Sequence, residues 1–419
     1  MSFQTGLSGL NTSSKSLDVI GNNIANANTV GFKSSRAEFS ELVASSLGSG
    51  GGGKGAGIGA AVATVAQQFT QGNVNITGNS LDVAINGGGF FQVTRPDGSA
   101  AFTRDGQFKL DKDGNIITNT GANLMGYPTD LKGVPTSITI QKMTVPTAAP
   151  IPASQTTAIT AEFNVDARAK IAATVVPPTP LGTYGTSLTA FDAQGVALPV
   201  NLYFSKVAPA TAGTDQWNVF TSAAVGALPV ASLVFNASGT LTGTLAQPSG
   251  AATATLGKIP LTLTPVAPSI VPAFPVTVDV TKVTQYGTAF NVSNLTQDGY
   301  TAGDLTGISI EPTGVIKTRY SNGQTQAKGQ ISLADFRNVQ GLAQVGAGEY
   351  LETYGSGQPV QGTAGIGKFG ALRSGSVEES NVDLTAELVS MMTAQRNYQA
   401  SAQTIKTQDQ IMSTLVNLR

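Results

Sequence analysis

Helical periodicity is confined to the two ends of this 419-residue chain. From Phe3 to Ile24, apolar or small residues recur with alternating spacings of four and three. The same alternation runs from Asn381 to Asn417, a stretch that contains neither Pro nor Gly. This spacing is typical of a heptad stripe, the face by which one helix packs on another. The chain therefore has to pair two terminal helices with each other or with other copies, whatever its interior forms.

The exposed side of the first predicted helix is unusual in being almost uncharged. Lys15 and Asp18 are the only charged residues before Lys33. A solvated helix face usually carries charges, so we expect these helices to pack against further copies of the chain. A helix pair that closes the core of the same molecule is the alternative reading. The candidate assembly interface consists of Phe3, Leu7, Leu10, Leu17, Ile24, Leu384, Leu388, Met391, Tyr398, Ile405, Met412 and Val416.

The interior of the chain carries turn signals typical of β structure. Asp-Gly pairs occur at residues 97–98, 105–106 and 113–114, and Asn-Gly occurs at 322–323. Glycine accepts positive φ angles, and Asp or Asn tolerates them, so each pair predicts a hairpin turn. The short alternating runs between the Asp-Gly pairs predict a β-meander.

The composition changes between Pro146 and Thr284. Of the 20 prolines, 15 lie in this stretch, which carries only ten charged residues and the sole tryptophan, Trp217. Prolines are typical of strand edges and turns, so this stretch predicts a separate β-sandwich or barrel. β segments of the earlier style flank it on both sides, which predicts that it is inserted into another β domain.

The predicted fold is therefore mainly β with terminal α-helices. Two β domains are nested, and an N- and C-terminal helix pair with coiled-coil-like heptads closes the chain. The predicted segments are an N-terminal helix (1–33), a glycine-rich connector (34–70), the first half of an inner β domain (71–145), an inserted outer β domain (146–284), the second half of the inner domain (285–370) and a C-terminal helix segment (371–419).

The composition excludes several kinds of chemistry. The chain has no Cys and no His, which rules out disulfides, thiolate chemistry, His-ligated zinc and Ser-His-Asp triads. A net charge of −1 provides no attraction for nucleic acid or an anionic membrane. The N-terminus does not read as a secretory signal, and no apolar run is long enough to span a bilayer. Taken alone, these features predict a cytoplasmic soluble protein.

Two stretches approach ligand-binding motifs and fail at a required position. GSGGGGKG from Gly48 nearly spells a phosphate-binding loop, but Gly55 stands where Ser or Thr should bind magnesium. We read the run Gly48–Gly59 as a flexible linker. DKDGN from Asp111 starts like a calcium loop, but Ile116 occupies the glycine position, so we read a hairpin turn. We expect no enzyme activity, no metal and no cofactor.

Three stretches carry a resemblance to a known family. LDVIGNNIANANTVGFK (17–33) and SNVDLTAELVSMMTAQRNYQASAQTIKTQDQIMSTLVNLR (380–419) resemble the N- and C-terminal motifs of the bacterial flagellar rod and hook proteins. GNSLDVAINGGGFFQV (78–93) resembles the start of their first β domain. The residues that carry the terminal motifs are Asn22, Asn23, Asn26, Gly31, Phe32, Asn381, Asp383, Gln395, Arg396 and Tyr398.

The resemblance implies a structural role outside the cell. Within this family the large insertion and the C-terminal ending favour a hook subunit over a distal rod subunit, which is the alternative. It implies export by the flagellar type III apparatus and polymerisation into a curved tube, the universal joint between rod and filament. The implied partners are further copies of the chain, the flagellar rod, the hook cap, the hook–filament junction proteins and the export apparatus. An adhesin-like β protein and an enzyme are rival classes, and neither explains the paired terminal stripes.

The motif also contains four asparagines near the predicted end of the first helix: Asn22, Asn23, Asn26 and Asn28. Asparagine is unfavourable inside a helix because its side chain competes for backbone hydrogen bonds. We expect these residues to cap the helix end, to adopt left-handed conformations or to bond neighbouring backbone, and to penalise wrong registers between subunits.

Overall fold

The computed structural model of the chain describes residues 2–43, 57–147, 150–176, 178–247, 255–265 and 270–417. The chain is mainly β, with one α-helix near each end. It divides into two compact units, each with its own interior. The first comprises Met1–Ala148, Thr306–Arg319 and Thr325–Arg419, and the second comprises Ala149–Leu305 and Tyr320–Gln324.

The first unit opens with one helix and ten strands. These are α1 (Ser2–Ala25), β1 (Ser35–Val43), β2 (Gly57–Gln67), β3 (Val74–Ile76), β4 (Val83–Asn86), β5 (Phe90–Thr94), β6 (Ala100–Thr103), β7 (Lys109–Leu110), β8 (Ile116–Ile117), β9 (Asn123–Tyr127) and β10 (Gln141–Lys142).

The second unit contains ten strands and two 3₁₀ turns (Ala172–Thr174 and Leu181–Thr183). The strands are β11 (Ala158–Asp166), β12 (Gly185–Phe191), β13 (Ala197–Val207), β14 (Asp215–Phe220), β15 (Ala231–Phe235), β16 (Leu241–Ala246), β17 (Lys258–Leu263), β18 (Phe274–Asp279), β19 (Thr284–Tyr286) and β20 (Asn291–Gln297).

Apart from Leu305 and Tyr320, the remaining elements complete the first unit. They are β21 (Leu305–Ile310), β22 (Val315–Tyr320), β23 (Thr325–Asp335), a 3₁₀ turn (Val339–Gly341), β24 (Ala343–Gly346), β25 (Glu349–Leu351), β26 (Val360–Thr363), β27 (Ala371–Ser374), β28 (Ser376–Glu378) and α2 (Leu384–Asn417).

A twelve-stranded sheet organises the first unit. Its main path runs β21-β22-β23-β9-β5-β6-β25-β24, with β7, β8, β10 and β26 paired beside that path. Strands from both sides of the insertion thus alternate in one sheet. Its aromatic core joins Phe90, Phe102, Phe336 and Tyr350, all at most 5% exposed. The rings of Phe102 and Phe336 meet edge to face with centroids 4.8 Å apart, a favourable aromatic geometry.

The second unit is a sandwich of two five-stranded sheets. One is the antiparallel meander β12-β13-β14-β15-β16, and the other is a mixed sheet in which β11 pairs with β18, β19 and β20. Alternate residues of β11 are buried, as a half-buried strand requires. Ile159, Phe163 and Val165 share one core with Trp217 of β14 and Phe235 of β15. That shared core is what makes the two sheets one sandwich.

Three of the four predicted turns are confirmed. The pairs at 97–98, 113–114 and 322–323 close the hairpins β5–β6, β7–β8 and β22–β23. The prediction at 105–106 is wrong. Gly106 runs beside Val83, and a Cβ added to Gly106 would lie 1.8 Å from the Val83 carbonyl oxygen. Glycine is required here for close backbone approach rather than for a turn.

Two segment predictions differ from the observed structure. The stretch assigned to a glycine-rich connector forms an antiparallel hairpin, β1–β2, with Ser35 opposite Gln67. The run Gly48–Gly59, read as a flexible linker, reaches into this hairpin, because residues 57–59 belong to β2 and pair with β1. Residues 48–56 lie outside the described residues. The insertion was expected to end at Thr284, but the second unit continues to Leu305 because β19 and β20 both pair with β11. The other segment boundaries stay predictions.

Candidate assembly interface

The two helices pack antiparallel, and small residues of α1 contact α2. A Cβ added to Gly6 would lie 3.0 Å from Cγ1 of Ile405, and one added to Gly9 would lie 2.9 Å from Oγ of Ser401. Contacts this short bring the two helix backbones close together, because the interaxial distance is set by the side chains at the contact. The small, uncharged residues of α1 therefore serve, at least in part, to seat α2 of the same chain.

The predicted stripe of α1 lies beside this contact line rather than on it. Gly6, Val19 and Ile20 are buried, whereas Leu7 is 44% exposed. Leu10, Leu17 and Ile24 are of intermediate exposure, and the side chain of Phe3 lies outside the description. The apolar stripe of α1 is thus only partly covered by its own chain.

The stripe of α2 divides in the same way. Met391 and Ile405 are of intermediate exposure, and Tyr398 is 37% exposed. Met412 is 56% exposed, and the side chain of Val416 lies outside the description. Four apolar residues in the first three turns are more than 40% exposed and form a surface we call the α2 patch: Leu384, Leu388, Val389 and Met392.

Asn23 accounts for much of the asparagine-rich sequence at the end of α1. Its side chain is buried, and its amide nitrogen donates to the Ser35 carbonyl (2.8 Å) and to Oε1 of Glu387 (2.9 Å). Its Oδ1 accepts from the Ser35 amide at 2.8 Å. One side chain thereby ties the end of α1 to the start of β1 and to α2.

The neighbouring asparagines terminate the helix. The amide nitrogen and the side-chain nitrogen of Asn26 both donate to the Asn22 carbonyl, at 3.1 and 2.9 Å. Asn28 is exposed. Among the described residues the one non-glycine with positive φ is Ala347, so the expected left-handed asparagines are not found. Asn23 and Asn26 bond backbone groups near the helix end instead, because an asparagine side chain can supply a donor or an acceptor where the helical ladder stops.

Two residues of the C-terminal motif organise the other side of the junction. Asn381 accepts from the Ser34 amide at 2.7 Å and donates to the Gln68 carbonyl at 2.7 Å. Asp383 caps α2, since its Oδ1 accepts from the amides of Thr385 (2.9 Å) and Ala386 (3.2 Å). A carboxylate at this position also favours the positive end of the helix dipole.

Gly31 and Phe32 seat the N-terminal segment on the β core. Gly31 has φ 70°, and a Cβ there would lie 2.6 Å from the Asp105 amide nitrogen. Its amide donates to the Glu378 carbonyl at 2.8 Å, and the Phe32 side chain is buried. Only glycine combines that φ with so close an approach. The remaining motif residues Gln395 and Arg396 are exposed on α2, away from this junction.

A buried ion cluster lies at the same junction and was not singled out from the sequence. Nζ of Lys33 lies 2.6 Å from Oε1 of Glu378, and Nη1 of Arg104 lies 3.2 Å from Oε2. Burial lowers the pKa of Lys33, more than its attraction to Glu378 raises it. Burial also lowers the pKa of Arg104. Lys33 is the last residue of the N-terminal motif, which could have singled it out. Nothing in the sequence indicates that it pairs with Glu378.

The described residues give no sign of a metal centre or a membrane span. No three Asp, Glu, His or Cys side chains come together as a possible metal site within the described ranges. None of the helices described is both long and apolar enough to cross a membrane.

Four domain families match consecutive parts of the chain. Residues 3–33 match the family described as "Flagella basal body rod protein", and residues 84–168 match "Flagellar hook protein FlgE/F/G D1 domain". Residues 164–300 match "Flagellar basal body protein FlaE D2 domain", and residues 373–418 match "Flagellar basal body rod FlgEFG protein C-terminal". Together with the helix pair and the nested β units, these matches define a protein of the rod and hook class.

Full-length relatives narrow the class. The chain is 41% identical to the flagellar hook protein FlgE of Escherichia coli (strain K12) and 39% identical to that of Salmonella typhimurium, in both cases over 100% of both chains. It is 30% identical to the FlgE of Treponema pallidum, over 100% of this chain and 99% of that one. The chain belongs to the flagellar hook protein family.

A solved structure shares the fold. The crystal structure of Helicobacter pylori flagellar hook protein FlgE2 aligns with a TM-score of 0.50 at 14% identity, covering 71% of this chain and 99% of that chain.

Proposed function

We propose that this chain is a structural subunit of the bacterial flagellar hook and that it polymerises through its terminal helices. The hook lies outside the cell and joins rod to filament as a curved, bendable tube. The candidate interface residues of α1 and α2 supply the contacts between copies, and the β units supply the wall of the tube. Family membership supports the hook role. The geometry of the helices supports the assignment of the contacts between copies to α1 and α2.

The exposed α2 patch carries the proposal. Leu384, Leu388 and Met392 recur every four residues and so share one face of α2, and each is at least 44% exposed. Fully burying such a side chain contributes about 1.5–3 kcal/mol. Leu7 of α1 is exposed as well. Adjacent apolar residues left open on a paired helix are typical of a surface that another protein covers.

The partners beyond the chain itself follow from the family resemblance. We propose that the first subunits contact the flagellar rod, that growth proceeds beneath the hook cap, and that the last subunits contact the hook–filament junction proteins. Delivery is by the flagellar type III export apparatus. An open helical polymer repeats one heterologous contact, so each of its two ends presents an unpaired contact surface to partners of other kinds.

We propose no catalytic role. A groove of the first unit, about 930 Å³ in volume, is lined by Phe336, Val360, Ile366 and Phe369 together with Arg337, Lys368 and a single carboxylate, Asp335. The pair of carboxylates that a glycoside hydrolase uses does not line it. A distal rod role is the weaker alternative, because the full-length relatives described above are hook proteins.

Rescue of hook-less cells tests the function. Cells that lack their own hook subunit should regain hooks and motility when they express this chain, and electron micrographs of the concentrated protein should show tubes. Cells that lack the distal rod subunit should not be rescued. A chain that is exported and folded but restores rods instead of hooks would identify it as a rod subunit.

A further inference from the structure

Three strands of the twelve-stranded sheet pair with one another around a single point. β5 pairs with β23 on one side of Gln92 and with β9 on the other side. β23 likewise pairs with β5 on one side of Ser332 and with β9 on the other. On β9 the residue between the two pairings is Met125. The three ladders therefore diverge at Gln92, Met125 and Ser332, a point that we call the junction.

The side chains of Gln92 and Ser332 lie on the same face of the sheet. Directly opposite residues of antiparallel strands share a face, and the last opposite pair before the junction is Phe91 and Leu333. In that register the next opposite pair is Gln92 and Ser332. Because side chains alternate along a strand, Gln330 lies on this face as well, two residues from Ser332.

Each of these three side chains has a buried polar atom with no hydrogen-bond partner among the described residues. The atoms are Oε1 of Gln92, Oε1 of Gln330 and Oγ of Ser332. Gln92 is 5% exposed, Gln330 is 7% exposed and Ser332 is 0% exposed. The amide nitrogen of Gln330 is satisfied, since it donates to the Thr313 carbonyl at 2.7 Å. Buried polar atoms are rarely left unpaired, so three of them on one face beside the junction indicate a shared partner.

We propose that the junction binds one buried water molecule, held by Gln92, Gln330 and Ser332. The hydrogen bonds balance, because the water donates to the two amide oxygens and accepts from the Ser332 hydroxyl. Buried waters typically make about three hydrogen bonds to otherwise unpaired polar groups. All three ligand atoms are uncharged oxygens, which suits water better than a divalent cation that is usually bound with carboxylates.

The water site joins two halves of the first unit that are far apart in sequence. β5 and β9 precede the second unit in the chain, and β23 follows it. If β23 were shifted by one residue, Ser332 would turn to the opposite face, and apolar Ile331 or Leu333 would lie at the junction instead. The bound water therefore favours the one register in which the later strand joins the two earlier ones.

Two variants of the full-length chain, Gln92→Met and Ser332→Ala, test the water site. Each removes one ligand of the water and largely preserves the shape of the side chain. Amide hydrogen exchange in β5 and β23 should become about fivefold faster in each variant, as expected when one buried hydrogen bond is lost. Without a bridging water the sign reverses, because removal of an unpaired buried polar atom stabilises the sheet and slows exchange.

The matched controls are Gln358→Met and Ser309→Ala, which make the same changes at exposed residues of the first unit. Both controls should leave the exchange rates of β5 and β23 unchanged. In the double variant of Gln92 and Ser332, exchange should be slower than the product of the two single effects. The reason is that the second substitution removes a ligand from a water that the first has already weakened.

A structure of the folded chain at a resolution that shows ordered waters provides the second test, and it decides the matter if a variant fails to fold. One water should lie within hydrogen-bonding distance of all three oxygens, and a junction without it would overturn the proposal. Unchanged or slower exchange in Ser332→Ala would do the same. Exchange rates that depend on whether the buffer cation is sodium or potassium would identify a bound metal ion in place of water. None of these measurements requires tubes, so their failure is separate from a failure of the hook function.

Discussion

The side chain of Asn23 donates a hydrogen bond to Glu387 across 364 residues of sequence, at 2.9 Å. Asn23 lies in the last turn of α1, and Glu387 lies in the first turn of α2. The same amide group also pairs with both backbone atoms of Ser35. Within the asparagine-rich motif, Asn23 therefore connects three elements by hydrogen bonds: α1, the start of β1 and the first turn of α2. We call this set of contacts the joint.

Replacing Asn23 with Ala should loosen this joint. The change removes three hydrogen bonds, one of them to a carboxylate, and leaves the Ser35 backbone groups without these partners. At about 1 kcal/mol for each neutral bond and more for the charged one, we expect a loss of about 3 kcal/mol for docking of α1. Amide exchange across α1 measures the effect.

Asn22→Ala is the matched control for that change. Its side chain is exposed, and α1 should keep its protection within about 0.5 kcal/mol. Equal effects of the two substitutions would mean that asparagine content, rather than the bridge made by Asn23, stabilises the joint.

Two glycines of α1 should respond in opposite directions to a larger side chain. At Gly6 a Cβ already meets Ile405 at 3.0 Å, whereas at Gly21 no atom lies within 4 Å. Gly6→Leu should force the helices apart and cost about 1–3 kcal/mol. Gly21→Ala should stabilise α1 by about 0.5–1 kcal/mol, because alanine is the better helix former.

Circular dichroism melts of the helical signal, recorded for both variants beside the wild type, provide the comparison. Stabilisation by Gly6→Leu would show that α1 and α2 are not in close contact in solution.

Leu388→Lys should stop tube growth without weakening the β units. Leu388 is 50% exposed in the single chain, so a lysine there is solvated in the monomer. In a polymer that covers the α2 patch the same lysine would be buried without a partner, which costs several kcal/mol at every added subunit. Electron microscopy of concentrated protein, combined with a thermal melt, separates the two effects.

Gln403→Lys places the same residue on an exposed polar position of α2 and should leave tubes intact. Normal polymerisation of Leu388→Lys would show that the α2 patch is not part of the assembly surface. Earlier melting of its β units would show that Leu388 stabilises the folded monomer instead.

Tyr350 should make the first unit sensitive to alkaline pH. Burial in the aromatic core raises its pKa to about 12, from an ordinary value of 10.0. The folded state therefore holds the phenol proton more tightly than the unfolded state does. This contribution is complete below about pH 10 and is lost as the pH rises through about 12, up to about 2–3 kcal/mol.

Tyr350→Phe keeps the ring and removes the ionisable group. Denaturant melts at about pH 8 and about pH 11.5, on either side of the ordinary tyrosine pKa, should show a smaller loss of stability in the variant than in the wild type. An identical loss in both proteins would place the alkaline sensitivity elsewhere.

Local rules were enough for the parts of the fold that depend on nearby residues. The absence of Pro and Gly from residues 381–417, with heptad spacing, predicts a helix where α2 is found. Hairpins form at three of the four predicted glycine-containing turns, because Gly98, Gly114 and Gly323 adopt the positive φ that these short turns require. The composition change near Pro146 likewise marks the start of the second unit to within a few residues.

Local rules could not identify the residues that connect the N-terminal segment to the C-terminal segment. Asn23 and Glu387, or Lys33 and Glu378, are hundreds of positions apart, and hydrogen bonds at that separation leave no periodic signal in one sequence. Gly106 belongs to an Asp-Gly pair that is typical of a turn, but in the structure it permits the backbone to pass close to Val83. The β1–β2 hairpin was not predicted, because the glycine-rich sequence between its strands is typical of a linker. The two strands pair with each other across that run.

By itself the sequence determined the two terminal helices, three hairpin turns, the terminal motifs and the absence of thiol and imidazole chemistry, since these follow from residue type and local spacing. Tertiary structure alone decided which face of α1 meets α2 and which apolar residues stay exposed. A heptad stripe defines an apolar surface but not its partner. Here the small residues Gly6 and Gly9 permit the closest helix contact, and so the larger apolar side chains lie to the side of it.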